Sequence, residues 1–298
     1  MTAAAGTGLW IVGEVDVAAA TQFVVDHLVL VILVLTRLST LLMAMPAVGV
    51  GVPRRVRALL AILITFLLIP PIADQTPSES LPQFDQWIDL TIAMAREAIV
   101  GMLIGATVQL IVTGFQTGGE IMTGTGGMQL GDAIDPTTSS SMPATARLIG
   151  LMVTAILLAV GGHRLMLTLF LDSFESMPAG AVVLGRGMLD LVVTQLAGGM
   201  AAGVRIAAPV VAALLLSNLV TGLISRTLPQ INVLAVGLPI NALSLLVVLS
   251  LTIGSIGLVF QSELSIALER VADLFAAEVA GVLPGSESSG EDLGGGAI

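Results

Sequence analysis

Hydrophobic positions along this chain come in long blocks, not in alternating or short periodic runs. Apolar residues dominate 24–45, 56–73, 90–115, 146–171, 189–225 and 231–260. About 20 apolar helical residues cross the roughly 30 Å hydrocarbon core of a bilayer. The pattern therefore predicts an all-α integral membrane protein with about six long hydrophobic helices. Polar punctuation separates the blocks. Pro46, Gly49, Gly51 and Pro53 make a turn before the basic run Arg54, Arg55 and Arg57, and Pro70 and Pro71 close the second block. An acidic stretch fills 74–89, a Gly-, Thr- and Ser-rich stretch fills 116–146, and 226–230 is a short break. The first 22 residues lack the basic start of a signal peptide. The Gly-, Ser- and acid-rich end, 284–298, is predicted to be disordered.

Composition strengthens this reading. Of 298 residues, 55% are hydrophobic and 11% charged, against about 25% charged in an ordinary soluble domain. Mean hydropathy is +1.01. There is no Cys, which excludes disulfides, thiol nucleophiles and iron–sulfur ligation. All 11 basic residues are Arg, so a lysine-bearing phosphate loop and a Schiff base are excluded. Only His27 and His163 are present, far apart, which argues against a histidine metal site. The net charge of −10 argues against nucleic acid as a partner. No cofactor is expected, and no convincing nucleophile–base pair points to an enzyme. Arg54, Arg55, Arg57, Arg147 and Arg226 fall in one set of alternate loops and only Arg186 and Arg270 in the other, which places the first set in the cytoplasm.

The last two blocks are too long for a plain bundle. Thirty helical residues, as in 231–260, measure about 45 Å. Two such helices joined by a tight turn predict an antiparallel hairpin whose excess apolar surface needs partner protein. Gly101 with Gly105, Gly114 with Gly118, and Gly199 with Gly203 repeat at four-residue spacing, which lets helix backbones approach closely, within this chain or against a neighbour. Arg96 and Glu97 are adjacent, so on a helix they diverge by about 100° and do not pair with each other. Structural neutralisation is the reading favoured for them over a proton relay. His163 is read as a satisfied structural histidine. The segment from Gly118 to Gly131 looks superficially like a phosphate loop. Without Lys, and flanked by Glu120 and Asp132, it reads instead as a small-residue loop, either a plain connector or a closure at membrane depth. Met122, Met128 and Met142 would supply a deformable seal.

Ordered motifs carry a family resemblance. Arg37 and Pro46 precede Val52-Pro53-Arg54-Arg55-Val56 and Pro70. Gly119-Glu120-Ile121, Asp135-Pro136, Met142-Pro143 and Ala146-Arg147 follow. Gly162-His163, Asp172-Ser173-Phe174, Ala208-Pro209, Pro229-Gln230, Gly237 and Pro239 complete the series. Together they resemble the FliR family of the flagellar type III export gate and its injectisome counterpart, SctT. That resemblance implies helical hairpins stacked with FliP and FliQ family subunits around a channel for unfolded flagellar proteins. FlhB and FlhA family proteins are implied as neighbours, membrane lipid as surroundings, and the inner membrane within the flagellar basal body as location.

The implied organisation is an extension at 1–23, a FliP-like region at 24–188, a FliQ-like hairpin at 189–283 turning at Pro229 and Gln230, and a tail at 284–298. Within it, a loop at about 117–145 matches the channel plug, with Glu120, Met122, Met128, Gln129 and Asp135 as its members. Gly101, Gly105, Gly199 and Gly203 are the helix-packing positions. An equivalent injectisome subunit is the nearest alternative. A secondary solute transporter is a different class, and it predicts inverted repeats that the chain does not display.

Overall fold

The computed structural model describes residues 28–49, 52–75, 87–127, 142–227, 230 and 232–282. Seven helices longer than one turn carry them: α1 Leu28–Ala44, α2 Arg54–Gln75, α3 Trp87–Gly126, α4 Ala144–Ala159, α5 Gly162–Ser176, α6 Arg186–Thr227 and α7 Val233–Val282. A single helical turn, Pro46–Gly49, links α1 to α2. No strand occurs among the described residues. The protein is an all-α membrane protein.

Among the described residues, four helices are long and apolar enough to span a bilayer, or five if α4 and α5 count as one broken span. The expected count of about six is therefore slightly high, for two local reasons. The described part of α1 has 17 residues. The block at 146–171 is not one span, because it bends by 66° between α4 and α5. Gly161 stands at the bend with φ +79°, a left-handed conformation that glycine adopts without steric cost.

The centre of the fold is α3, which packs most extensively against α6 and next against α1. Its most apolar stretch is 61% buried, against 22% for α2 and α7. At 40 residues it runs past the predicted end near Phe115 to Gly126. Residues 117–126, expected to open the loop at 117–145, are helical. The cause is local satisfaction combined with close packing. The hydroxyls of Thr113, Thr117, Thr123 and Thr125 each donate to the carbonyl four residues back, so they sit in a helix without seeking water. Of the glycines that signalled a loop, Gly118 instead packs against Gly203 of α6 and Gly119 against Ala146 of α4.

The two last helices, of 42 and 50 residues, measure about 63 and 75 Å. Ser217 bonds Asn241, Arg205 lies 3.7 Å from Glu263, and Gln195 bonds the Ala267 carbonyl, so α6 and α7 run antiparallel. Gln230 lies in an exposed turn between them. Pro229, the extension at 1–23 and the tail at 284–298 lie outside the described residues.

Candidate functional site

Two apolar clusters frame the polar groups. In the first, Leu30, Leu33, Leu38 and Leu41 of α1 meet Val100 and Ile104 of α3 with Phe170 and Phe174 of α5. Inside it sits Arg37, fully buried, with Nε 2.5 Å from Oε2 of the equally buried Glu97. The remaining guanidinium donors reach the Ser173 hydroxyl at 2.9 Å, the Ser173 carbonyl at 3.2 Å and the Met177 carbonyl at 3.1 Å. The guanidinium also lies 4.0 Å over the Phe174 ring. The second Glu97 oxygen accepts the Gly180 N–H at 2.8 Å. Every charge in the pair is thus matched, as a low-dielectric interior demands.

This pairing settles the geometry of the adjacent ionisable residues. Glu97 turns inward to Arg37, whereas Arg96 reaches the Val182 carbonyl on the connector after α5. His163 differs from expectation, since its buried Nδ1 has no hydrogen-bond partner among the described residues.

The glycines form two intrachain seams. A Cβ at Gly101 would run into the Arg37 carbonyl and the Thr40 hydroxyl, and one at Gly105 into Ala44 and the Leu41 carbonyl. Gly114 abuts Gly199, and Gly118 abuts Gly203, backbone against backbone. All four packing positions named from the sequence therefore lie at helix contacts inside this chain: Gly101 and Gly105 hold α3 on α1, and Gly199 and Gly203 hold α6 on α3.

The stem of the predicted plug region lies at the far end of α3. Met122 is fully buried in the second apolar cluster, with Phe115, Ile149, Val153 and Phe260. Glu120 is half-buried, nearly two turns before the helix end. Across the stem, the Thr123 hydroxyl bonds the Thr145 hydroxyl at the start of α4, and Gly119 lies against the Ala146 backbone. The two ends of the intervening chain are thereby held side by side. Met128, Gln129 and Asp135 lie outside the described residues.

A second polar knot ties this stem to the hairpin. Asn241 of α7 and Asn218 of α6 both donate to carbonyls in the last turn of α3, and Ser217 completes the set. Sequence reading missed this knot and the Arg37–Glu97 pair. The available signal in both cases was an isolated polar side chain inside an apolar block, which requires a partner. Among the described residues no group of three or more His, Asp or Glu gathers as a metal site.

Residues 28–266 match the family model described as bacterial export proteins, family 1. This chain belongs to that family. It is 30% identical over 193 residues to the flagellar biosynthetic protein FliR of Escherichia coli K12, covering 64% of this chain and 71% of that protein. The FliR of Caulobacter vibrioides is 28% identical over 229 residues, covering 76% of this chain and 90% of its own length. The FliR of Bacillus subtilis is 27% identical over 184 residues, covering 61% and 71%. The family match takes in all of α1 to α6 and most of α7.

Proposed function

We propose that this chain is a non-enzymatic subunit of the flagellar type III export gate, which helps to form and close the channel that carries unfolded flagellar proteins across the inner membrane. The observation that carries the proposal is the mismatch between the hairpin and a bilayer. Helices of about 63 and 75 Å exceed roughly 30 Å of hydrocarbon at least twofold. Both expose large apolar side chains along their length, among them Leu189, Met200, Leu219, Leu243, Leu251 and Leu258. Neither water nor a lipid core of that thickness covers such a surface, so neighbouring protein does.

FliP and FliQ family subunits are the neighbours this reading assigns, with FlhB and FlhA family proteins beside the assembly. The relatives' flagellar names and the family match support the flagellar system. The chain's own work is packing, sealing and opening, with the driving energy supplied elsewhere. Closure is assigned to the segment that leaves α3, of which Glu120 and Met122 form the described base.

The test is an in-frame deletion in the native bacterium. Loss of flagellar proteins from the culture supernatant, restored by the intact gene, is the expected result. Normal flagellar secretion in the deletion strain would overturn the proposal.

A further inference from the structure

Between Asp26 and Asp74 the sequence holds no acidic residue and four arginines, in a chain whose net charge is −10. Arg37 is matched by Glu97. The other three, Arg54, Arg55 and Arg57, lie in the first turn of α2. Cations at that end oppose the helix dipole, so the helix itself gains nothing from them. Arg54 and Arg55 are exposed and form no ion pair among the described residues.

Beside them a cleft of about 270 Å³ opens between α1 and α2. Its walls include Ser39, Thr40 and Met43 of α1 and Arg54, Arg57 and Ala58 of α2. The Ser39 and Thr40 hydroxyls donate to the Thr36 and Arg37 carbonyls of their own helix, so they add little polarity to the cleft. Arg57 is anchored in place, its Nη2 donating to the Val48 carbonyl at 3.0 Å and the Val52 carbonyl at 3.4 Å. The cleft therefore joins a cationic end to an apolar wall.

The surroundings of α2 differ from those of the hairpin. At 22 residues it measures about 33 Å, which matches the roughly 30 Å of bilayer hydrocarbon. Leu59, Leu63, Phe66 and Leu67 are exposed along it, a surface that lipid of that thickness covers. The apolar span starts at Arg54 itself. That register sets the arginines at headgroup level, where basic side chains meet anionic lipid.

We infer that the cleft between α1 and α2 is a binding site for an anionic phospholipid: its phosphate lies against Arg54 and Arg57, and the top of an acyl chain fills the cleft beside Met43 and Ala58. The cleft is smaller than the roughly 300 Å³ that encloses a whole small ligand. Only the upper part of the lipid is enclosed, and the rest of the chain follows the exposed face of α2. A free phosphate would use the arginines alone and leave the apolar wall bare. The inference stands apart from the export role proposed above.

The test uses the full chain, delipidated in detergent and titrated with phosphatidylglycerol, phosphatidylcholine or inorganic phosphate. Native mass spectrometry counts bound lipid, and the melting temperature is followed in parallel. Arg54→Gln removes a charge from the cleft, and Ala58→Leu fills the cleft at constant charge. Both residues are exposed, so neither change threatens folding. Arg226→Gln removes an exposed arginine from the last turn of α6 and is the control.

The expected result is one retained phosphatidylglycerol that raises the melting temperature. Its affinity is expected to fall roughly fivefold or more in Arg54→Gln and Ala58→Leu, and to stay unchanged in Arg226→Gln. Equal losses in Arg54→Gln and Arg226→Gln would reveal general charge attraction and overturn the site, as would phosphatidylcholine binding as tightly. Unchanged affinity in Ala58→Leu overturns the acyl-chain seat. Equal stabilisation by inorganic phosphate overturns the lipid assignment in favour of a plain anion site, and wild type that retains no phosphatidylglycerol overturns the inference outright.

Discussion

Arg37 of α1 and Glu97 of α3, 60 positions apart, form a fully buried ion pair at 2.5 Å. The same guanidinium holds Ser173 and Met177, and the same carboxylate holds Gly180, so one pair fastens α1, α3, α5 and the connector after α5.

Breaking one side of this pair is predicted to cost far more than replacing both. Glu97→Ala leaves an uncompensated buried guanidinium and is expected to destabilise the chain by about 3–5 kcal/mol. The double change Arg37→Leu with Glu97→Leu is expected to recover much of that loss, because apolar replacement of a buried pair is often neutral. Thermal unfolding of the detergent-purified chain checks the order. A double variant no better than Glu97→Ala alone would contradict it.

The glycine seam predicts opposite outcomes on one helix. A methyl group at Gly203 meets the Gly114 carbonyl, so Gly203→Ala forces α6 away from α3, at about 1–3 kcal/mol. Gly222, also in α6, has nothing within 4 Å of the added carbon. Gly222→Ala is therefore expected to raise stability by about 0.5–1 kcal/mol through backbone entropy. Steady-state level in the membrane and melting temperature check both. The Gly203 defect is expected in the chain expressed alone, since the seam is intrachain.

At the bend between α4 and α5, Gly161→Ala is expected to cost about 1–2 kcal/mol, the penalty for a Cβ in the left-handed region. Gly161→Asn is expected to cost less, since Asn tolerates that conformation. Equal melting temperatures for wild type and Gly161→Ala would show that the bend does not depend on the glycine.

Helical content and the long hairpin were legible because they rest on block length and a short break, both local properties. The end of α3 was not. A run such as Gly118-Gly119 with Thr123, Gly124 and Thr125 is loop-like by propensity. It is helical here because Gly114 and Gly118 find Gly199 and Gly203, some 85 positions later. The broken block at 146–171 hid its bend in Gly161-Gly162, which also fits a continuous apolar helix with small residues.

Long-range polar pairing was the least legible feature. Arg37 and Glu97 each announce that a partner is needed, and so do Asn218 and Asn241, but only the fold says which. The glycine spacing indicated close helix contact while leaving open whether the contact lay within the chain.

The central claim, that this chain works as one subunit of a multi-subunit export gate, is tested most directly by native mass spectrometry after co-expression with the same organism's FliP and FliQ family proteins. The account predicts a stable mixed complex containing this chain, its long apolar hairpin covered by the partners. A well-behaved monomer or homodimer, with no FliP or FliQ subunit bound, would contradict it.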